Sequence, residues 1–151
     1  MEGPRGLNIR LAASQDVESI LAIQSDSPEI AQWTLWDYER VARGEMAGWV
    51  AEEASGVAGF LVARHTGGDI EILNFAVRRE ARRRGMGAAL LQEALEWGRS
   101  LRAEKAFLEV RASNLEALQF YERRGFQPAG RRPRYYSAPM EDAMVLTLKL
   151  A

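Results

Sequence analysis

The run Arg82-Arg83-Arg84-Gly85-Met86-Gly87-Ala88 constrains this chain more than any other stretch. It follows an apolar segment ending in Phe75-Ala76-Val77, and its Met86 begins a series with Leu90, Ala94, Trp97 and Leu101 at helical spacing. The order is therefore strand, glycine turn, helix. Glycines let a ligand approach the main chain without a Cβ in the way. The first N–H groups of a helix have no intrahelical partner, and the helix dipole adds positive potential there. A turn of this kind cradles a pyrophosphate, with arginines supplying further charge. A basic surface turn with no ligand is the plainer alternative for the loop taken alone. Two other phosphate loops fit worse. No Lys-Ser or Lys-Thr follows the second glycine, as a triphosphate loop needs. A dinucleotide fingerprint would place its third glycine at Leu90 and would lie near the first strand, not mid-chain.

The remaining pattern reads as one domain over residues 1–151. Ile9–Ala12 forms a short strand and Ser14 caps a helix carrying Val17, Ile20, Leu21 and Gln24. Residues 34–44 form a second helix, and 49–53 and 57–64 form a hairpin around Ser55-Gly56. A longer strand follows over 69–77. Its apolar residues begin on even positions (Ile70, Ile72) and end on odd ones (Leu73, Phe75, Val77), which predicts a β-bulge near 72–74 or a strand covered on both faces. A helix over 85–101, a strand over 105–110, a helix over 114–124 and strands over 126–130 and 142–150 complete the order. The fold class is α/β, a mixed central sheet with helices on both faces.

Several classes are excluded or disfavoured. The chain has no Cys and one His, which removes disulfides, thiolate chemistry and a recognisable zinc cluster, so no metal is expected. His65 sits in a turn context. The first ten residues lack an apolar leader and no apolar run spans a bilayer, so a cytoplasmic protein without membrane contact is expected. Net charge is −1, but residues 1–70 hold 5 Lys and Arg against 11 Asp and Glu, and residues 71–151 hold 15 against 10. That split suits a cationic ligand at one end and an anionic one at the other, or is accidental surface composition. Arg131, Arg132 and Arg134 beside Tyr135 and Tyr136 have the character of a nucleic-acid contact, but no nucleic-acid partner is expected. On residue type alone, Glu109 reads as a strand-end carboxylate paired with Arg111 or another cation. Tyr121 reads as a core aromatic.

Together these motifs resemble the GNAT superfamily of acetyltransferases. The resemblance rests on Arg82-x-x-Gly85-x-Gly87-Ala88, on Leu108-Glu109-Val110-Arg111-Ala112-Ser113-Asn114, on Phe120-Tyr121-Glu122 and on Gly125-Phe126. It is closest to the ribosomal-protein-alanine N-acetyltransferases (RimI type), with Tyr135-Tyr136 and Glu141-Asp142-Ala143 also similar. It covers residues from about 71 to 148. The resemblance implies the acyl-CoA N-acyltransferase fold and direct transfer from acetyl-CoA to an amine. It implies main-chain pairing of Phe75, Ala76 and Val77 with the pantetheine arm, and a pyrophosphate held by Arg82, Arg83, Arg84, Gly85, Met86, Gly87 and Ala88. Asn114 would hydrogen-bond the arm, Glu109 would be the general base and Tyr121 the general acid. The acceptor it implies is a protein or peptide N-terminus, with a ribosomal-protein alanine as one candidate. Small-molecule amine acetylation and a non-catalytic CoA sensor are the alternatives. The segment between Tyr136 and Glu141 is shorter than in that subgroup, and Ser27–Trp33 matches its Pro-Trp loop only loosely.

The implied chemistry needs these residue types. An α-amine has a pKa of about 7.7–8.0 and attacks only as the free base, so a base must remove its proton, and Glu109 is the candidate. A main-chain N–H near Val77 can stabilise charge on the carbonyl oxygen. A phenol near the leaving thiolate can polarise or protonate it.

Overall fold

The computed structural model describes residues 7–151. In chain order the elements are β1 (Asn8–Leu11), a 3-10 turn (Ser14–Asp16), α1 (Val17–Ser25), α2 (Leu35–Ala42), β2 (Ala47–Glu53) and β3 (Gly56–Thr66). There follow β4 (Asp69–Val77), a 3-10 turn (Arg79–Ala81), α3 (Met86–Ser100), β5 (Lys105–Arg111), α4 (Leu115–Arg123), β6 (Gln127–Ser137) and β7 (Met140–Lys149). The seven strands form one sheet in the order β1-β2-β3-β4-β5-β7-β6. It is mixed: β4 and β5 are parallel, whereas β1–β2, β2–β3, β5–β7 and β6–β7 are antiparallel. Two compact units divide the chain. One holds the described residues up to Arg64 together with Ile72–Trp97, and the other holds His65–Glu71 with Gly98–Ala151. Among the described residues no helix is long and apolar enough to cross a membrane.

Inside the first unit, strand alternation sorts the core. Val50, Phe60, Val62 and Ala76 pack with Val17, Ile20 and Ile23 of α1 and Tyr38 and Val41 of α2. Neighbouring positions point the other way. There Trp49 meets Trp97 of α3 edge-on at 5.5 Å, and a Cβ on Gly59 would lie 3.1 Å from Leu90 of α3. Helices thus cover both faces of this part of the sheet, as the fold class requires. The hairpin carries an irregularity: Ala51 pairs with Gly59 but Glu52 with Val57, leaving Ala58 extra. That bulge returns Val57 to the face of Phe60 and Val62.

The expected slip of phase in β4 takes a different form. Burial alternates without interruption through Ile70, Ile72, Asn74 and Ala76. The apolar pattern breaks because a polar residue, Asn74, occupies the inward row, while half-buried Leu73, Phe75 and Val77 line the other. Asn74 Nδ2 donates to Tyr38 Oη at 2.8 Å and to the Ala31 carbonyl at 3.0 Å. Tyr38 in turn donates to Gln24 Oε1, and Gln24 binds both main-chain groups of Trp33, at 2.9 and 3.0 Å. A satisfied buried network of this sort fixes the segment joining α1 and α2.

Helix α1 also starts differently from expectation. Ser14 lies inside the 3-10 turn, and Asp16 reaches back to accept the Ala13 N–H at 2.7 Å. Asp16 is 3% exposed and takes two bonds of 2.8 Å from Arg10, which also meets Glu52. Burial raises the Asp16 pKa, but the bonds from Arg10 and Ala13 outweigh it, and the net shift is downward. Its stabilisation is therefore complete above the ordinary carboxylate range and is lost as pH falls through the lower, folded value. Asp16→Asn is expected to cost about 2 kcal/mol at neutral pH, measured by urea unfolding, with the gap to wild type narrowing in acid.

Candidate active site

Each unit contributes one set of the sequence-predicted residues. In the first, β4 ends at Val77, and the chain runs through the turn at 79–81 to Gly85 before α3 begins at Met86. Gly85 has φ 82°, a conformation glycine enters freely, and Arg83 takes φ 65°. The Met86 side chain is buried at the core, so only its main chain is offered to a ligand. The helix closes its first bond from the Ala89 N–H to the Gly85 carbonyl at 3.0 Å, and helix geometry leaves the amides before it outside the ladder. Arg82 is braced rather than loose: its Nε donates to the Val77 carbonyl at 2.9 Å and its Nη2 lies 3.4 Å from Glu29. Arg84 pairs with Glu53 at 3.2 Å. The Phe75 N–H is taken by Asn74 Oδ1 at 3.2 Å. A left-handed glycine, open helix amides and three arginines fit a diphosphate.

In the second unit, β5 and α4 position the remaining candidates. Asn114 caps α4, its Oδ1 accepting the Ala117 N–H at 3.2 Å. Tyr121, one side of that helix, is buried between Phe120 and Phe126 at ring distances of 5.2 and 5.3 Å. Burial raises its pKa well above 10, so it is held as the neutral phenol.

Glu109 lies on β5 opposite Val145 of β7, with its side chain only 11% exposed. Its cation is not Arg111. Arg111 turns instead to Glu141 at 3.3 Å, to the Pro139 carbonyl at 3.0 Å and to the face of Tyr136 at 4.4 Å. Arg132 of β6 fills the role, its Nε 2.9 Å from Glu109 Oε2, although the angle is too poor for a directed hydrogen bond and Oε2 otherwise has none. Tyr135 also hydrogen-bonds the carboxylate. Burial raises the Glu109 pKa above 4.5 and nearby Glu71 adds to this, while Arg132 and Tyr135 pull it down; the net shift is upward. Burial and Glu109 in turn raise Tyr136 to about 12.

The expected short strand at 126–130 is in fact eleven residues long, Gln127–Ser137, and this difference brings Arg132 and Tyr135 to Glu109. Pro128, Gly130 and Pro133 look like loop residues because they sit at irregularities. The β6–β7 register shifts at Pro128/Gly130 and again at Arg132/Tyr136. Nothing in the spacing of Glu109 and Arg132 announced their pairing. The adjoining Arg-Arg and Tyr-Tyr dipeptides were the available signal. Among the described residues no cluster of His, Asp and Glu is placed to hold a metal ion.

The acetyltransferase (GNAT) family model matches residues 14–126. This chain belongs to that family. It is an N-acetyltransferase, and acetyl-CoA is the family's donor. It is 30% identical over 141 residues to a putative ribosomal protein bS18-alanine N-acetyltransferase of Bacillus subtilis, covering 92% of this chain and 91% of that protein. It is 31% identical to an N-alpha-acetyltransferase of Sulfurisphaera tokodaii, covering 94% and 92%. The crystal structure of the ribosomal-protein-S18-alanine N-acetyltransferase from Escherichia coli superimposes with a TM-score of 0.85 at 24% identity, over 96% of this chain and 94% of that one.

The raised position of Glu109 is directly measurable in this acetyltransferase. A carbon-13 titration of labelled glutamate should show one carboxyl, absent in Glu109→Gln, with its midpoint above 4.5.

Proposed function

We propose that this enzyme acetylates protein N-terminal α-amines, with Glu109 as general base and Tyr121 as hydrogen-bond donor to the leaving sulfur. The observation that carries the reading is the Glu109 carboxylate: largely out of water, its pKa raised by burial, with Arg132 and Tyr135 pulling against that rise. A carboxylate matched closer to the amine is a better proton acceptor than one at 4.5. Relatives that acetylate ribosomal-protein alanine or N-terminal α-amines by name support the acceptor class, and a ribosomal-protein acceptor would place the work in the cytoplasm.

Acetyl-CoA supplies the activated acyl thioester. The main chain of Phe75, Ala76 and Val77 pairs with its pantetheine arm. Arg82, Arg83 and Arg84, with the amides of Gly85, Met86, Gly87 and Ala88, hold its diphosphate. Asn114 keeps its Oδ1 on the helix and offers Nδ2 to the arm. Glu109 takes one proton from the acceptor ammonium, the freed amine attacks the carbonyl carbon, and as the C–S bond breaks the nitrogen's second proton passes to the leaving sulfur, giving the thiol. Tyr121 is too weak an acid to protonate a thiolate of pKa about 8.5 outright, since the phenol starts near 10 and burial lifts it further. Its contribution is a hydrogen bond from the neutral phenol that stabilises sulfur as charge builds. The family match spans residues of both compact units, which supports their acting as a single catalytic domain.

Three variants separate these roles. Glu109→Gln should lower kcat about 100-fold and Tyr121→Phe about 10-fold, each with little change in the KM for acetyl-CoA. Arg82→Ala should raise that KM about 10-fold while leaving kcat within a factor of about three. In wild type, kcat/KM should fall as pH drops through a midpoint above 4.5, because the protonated carboxyl cannot accept the amine's proton.

The acceptor is tested by mass spectrometry on a peptide with a free N-terminal alanine and one internal lysine. Acetylation at the α-amine is expected, and the same peptide blocked at its N-terminus should remain unmodified. Modification of lysine in the blocked peptide, or efficient turnover of free polyamines alone, would overturn the N-terminal assignment.

A further inference from the structure

Arg132 is placed by an unusual stretch of backbone. On β6, Arg132 pairs with Ala143 and Tyr136 with Glu141, so three residues of β6 face Asp142 alone. Asp142 holds this wide bulge together, accepting the Arg134 N–H at 3.0 Å and Arg131 Nε at 2.6 Å. Arg134 takes φ 52° within it. Adjacent side chains on a strand diverge, so Arg131 is spent on Asp142 while Arg132 reaches Glu109. The pair is lopsided: the Arg132 side chain is 59% exposed and Glu109 11%. The guanidinium is the solvent-side partner and can leave at small cost. The carboxylate cannot follow it, and its Oε2 is buried with no directed hydrogen bond.

We propose that Arg132 is a resident counter-ion that the acceptor's ammonium group displaces from Glu109, and that it returns once the product is neutral. The inference rests on Glu109 being the base. A positioning role follows for Arg132: it keeps the carboxylate ionised and aimed until an amine of the same charge takes its place. The exchange conserves charge at each stage. The arriving ammonium replaces the guanidinium, an N–H bond breaks as an O–H bond forms on Glu109, and the amine becomes nucleophilic. The acetylated nitrogen, its second proton passed to the leaving sulfur, carries no charge and cannot compete with Arg132. The guanidinium then re-pairs with the carboxylate after its proton has left to solvent, and the amide is expelled. The other groups facing Glu109 do not take this part. Tyr135 of β6 is a neutral donor, Tyr136 a neutral neighbour, Glu71 of β4 repels it, and Arg111 on its own strand is committed to Glu141 and Tyr136.

Arg132→Gln and Arg132→Lys test this, with an octapeptide bearing a free N-terminal alanine and its N-acetylated form as probes. In Arg132→Gln, the carbon-13 midpoint of Glu109 should rise by about one pH unit, since an adjacent cation depresses a carboxyl by about that much when partly exposed. The acid limb of kcat/KM should move with it. Inhibition by the N-acetylated peptide should tighten about fivefold, the KM for acetyl-CoA should hold, and Arg132→Lys should restore both the midpoint and the weak product inhibition. An unmoved midpoint with unchanged product inhibition in Arg132→Gln, alongside the expected loss of kcat in Glu109→Gln, overturns the exchange alone. Undiminished kcat in Glu109→Gln overturns the base assignment beneath it.

Discussion

An amide side chain in the inward row of a strand must be satisfied where it lies, and Asn74 shows how much structure that requirement organises. Its two donors and one acceptor are used by Tyr38, the Ala31 carbonyl and the Phe75 N–H. Tyr38 needs a partner of its own and finds Gln24, which holds the main chain of Trp33. Burial raises the Tyr38 phenol far above its ordinary range, so the network never ionises at working pH. Leaving any one of these groups unpaired would cost about 1–3 kcal/mol. The segment joining α1 and α2 is therefore ordered by polar contacts in the core and not by secondary structure of its own.

The second unit holds the opposite case, a carboxylate whose burial works against its charge. A carboxylate at the position of Glu109 gains proton affinity from desolvation and from Glu71. For the base proposed above, too much of that would leave it protonated, and too little would leave it too weak. Arg132 and Tyr135 set the balance from one strand, and the irregular register of β6 is what lets two residues three apart converge on one carboxylate. Arg111 and Glu141 do the complementary mechanical work, with Glu141 also accepting the Ser113 N–H at 2.6 Å at the head of the turn into α4.

Much of this was readable from residues. The helices announced themselves by period, while the structure supplied their caps, Thr34 with Asp37 and Asn114 with the Ala117 amide. The glycine turn was legible as a turn between strand and helix, and the motifs singled out Glu109 and Tyr121 for the roles proposed above. What resisted reading shares a physical cause. Residues 127–137 are exposed almost throughout, so no alternation of apolar side chains marks them as strand. Asn74 disguised the phase of β4 because burial there is met by hydrogen bonds, which hydropathy does not register. The partner of Glu109 depends on a bulge, and no local pattern encodes which of two adjacent arginines a bulge will aim inward.

The ion pairs at the glycine turn have one more consequence. Glu29 and Glu53 sit against Arg82 and Arg84, so two of the three arginines there already have anions beside them. From several ångströms away the turn presents far less positive potential than its composition suggests, since paired opposite charges cancel within a Debye length. A long polyanion tracking charge at a distance feels little attraction. A compact ligand that brings its own oxygens to the amides can swap one anion for another at close range. Holding the diphosphate proposed above, the turn would work as an exchanger with a local key, discriminating by fit what a bare cluster of arginines would collect by field alone.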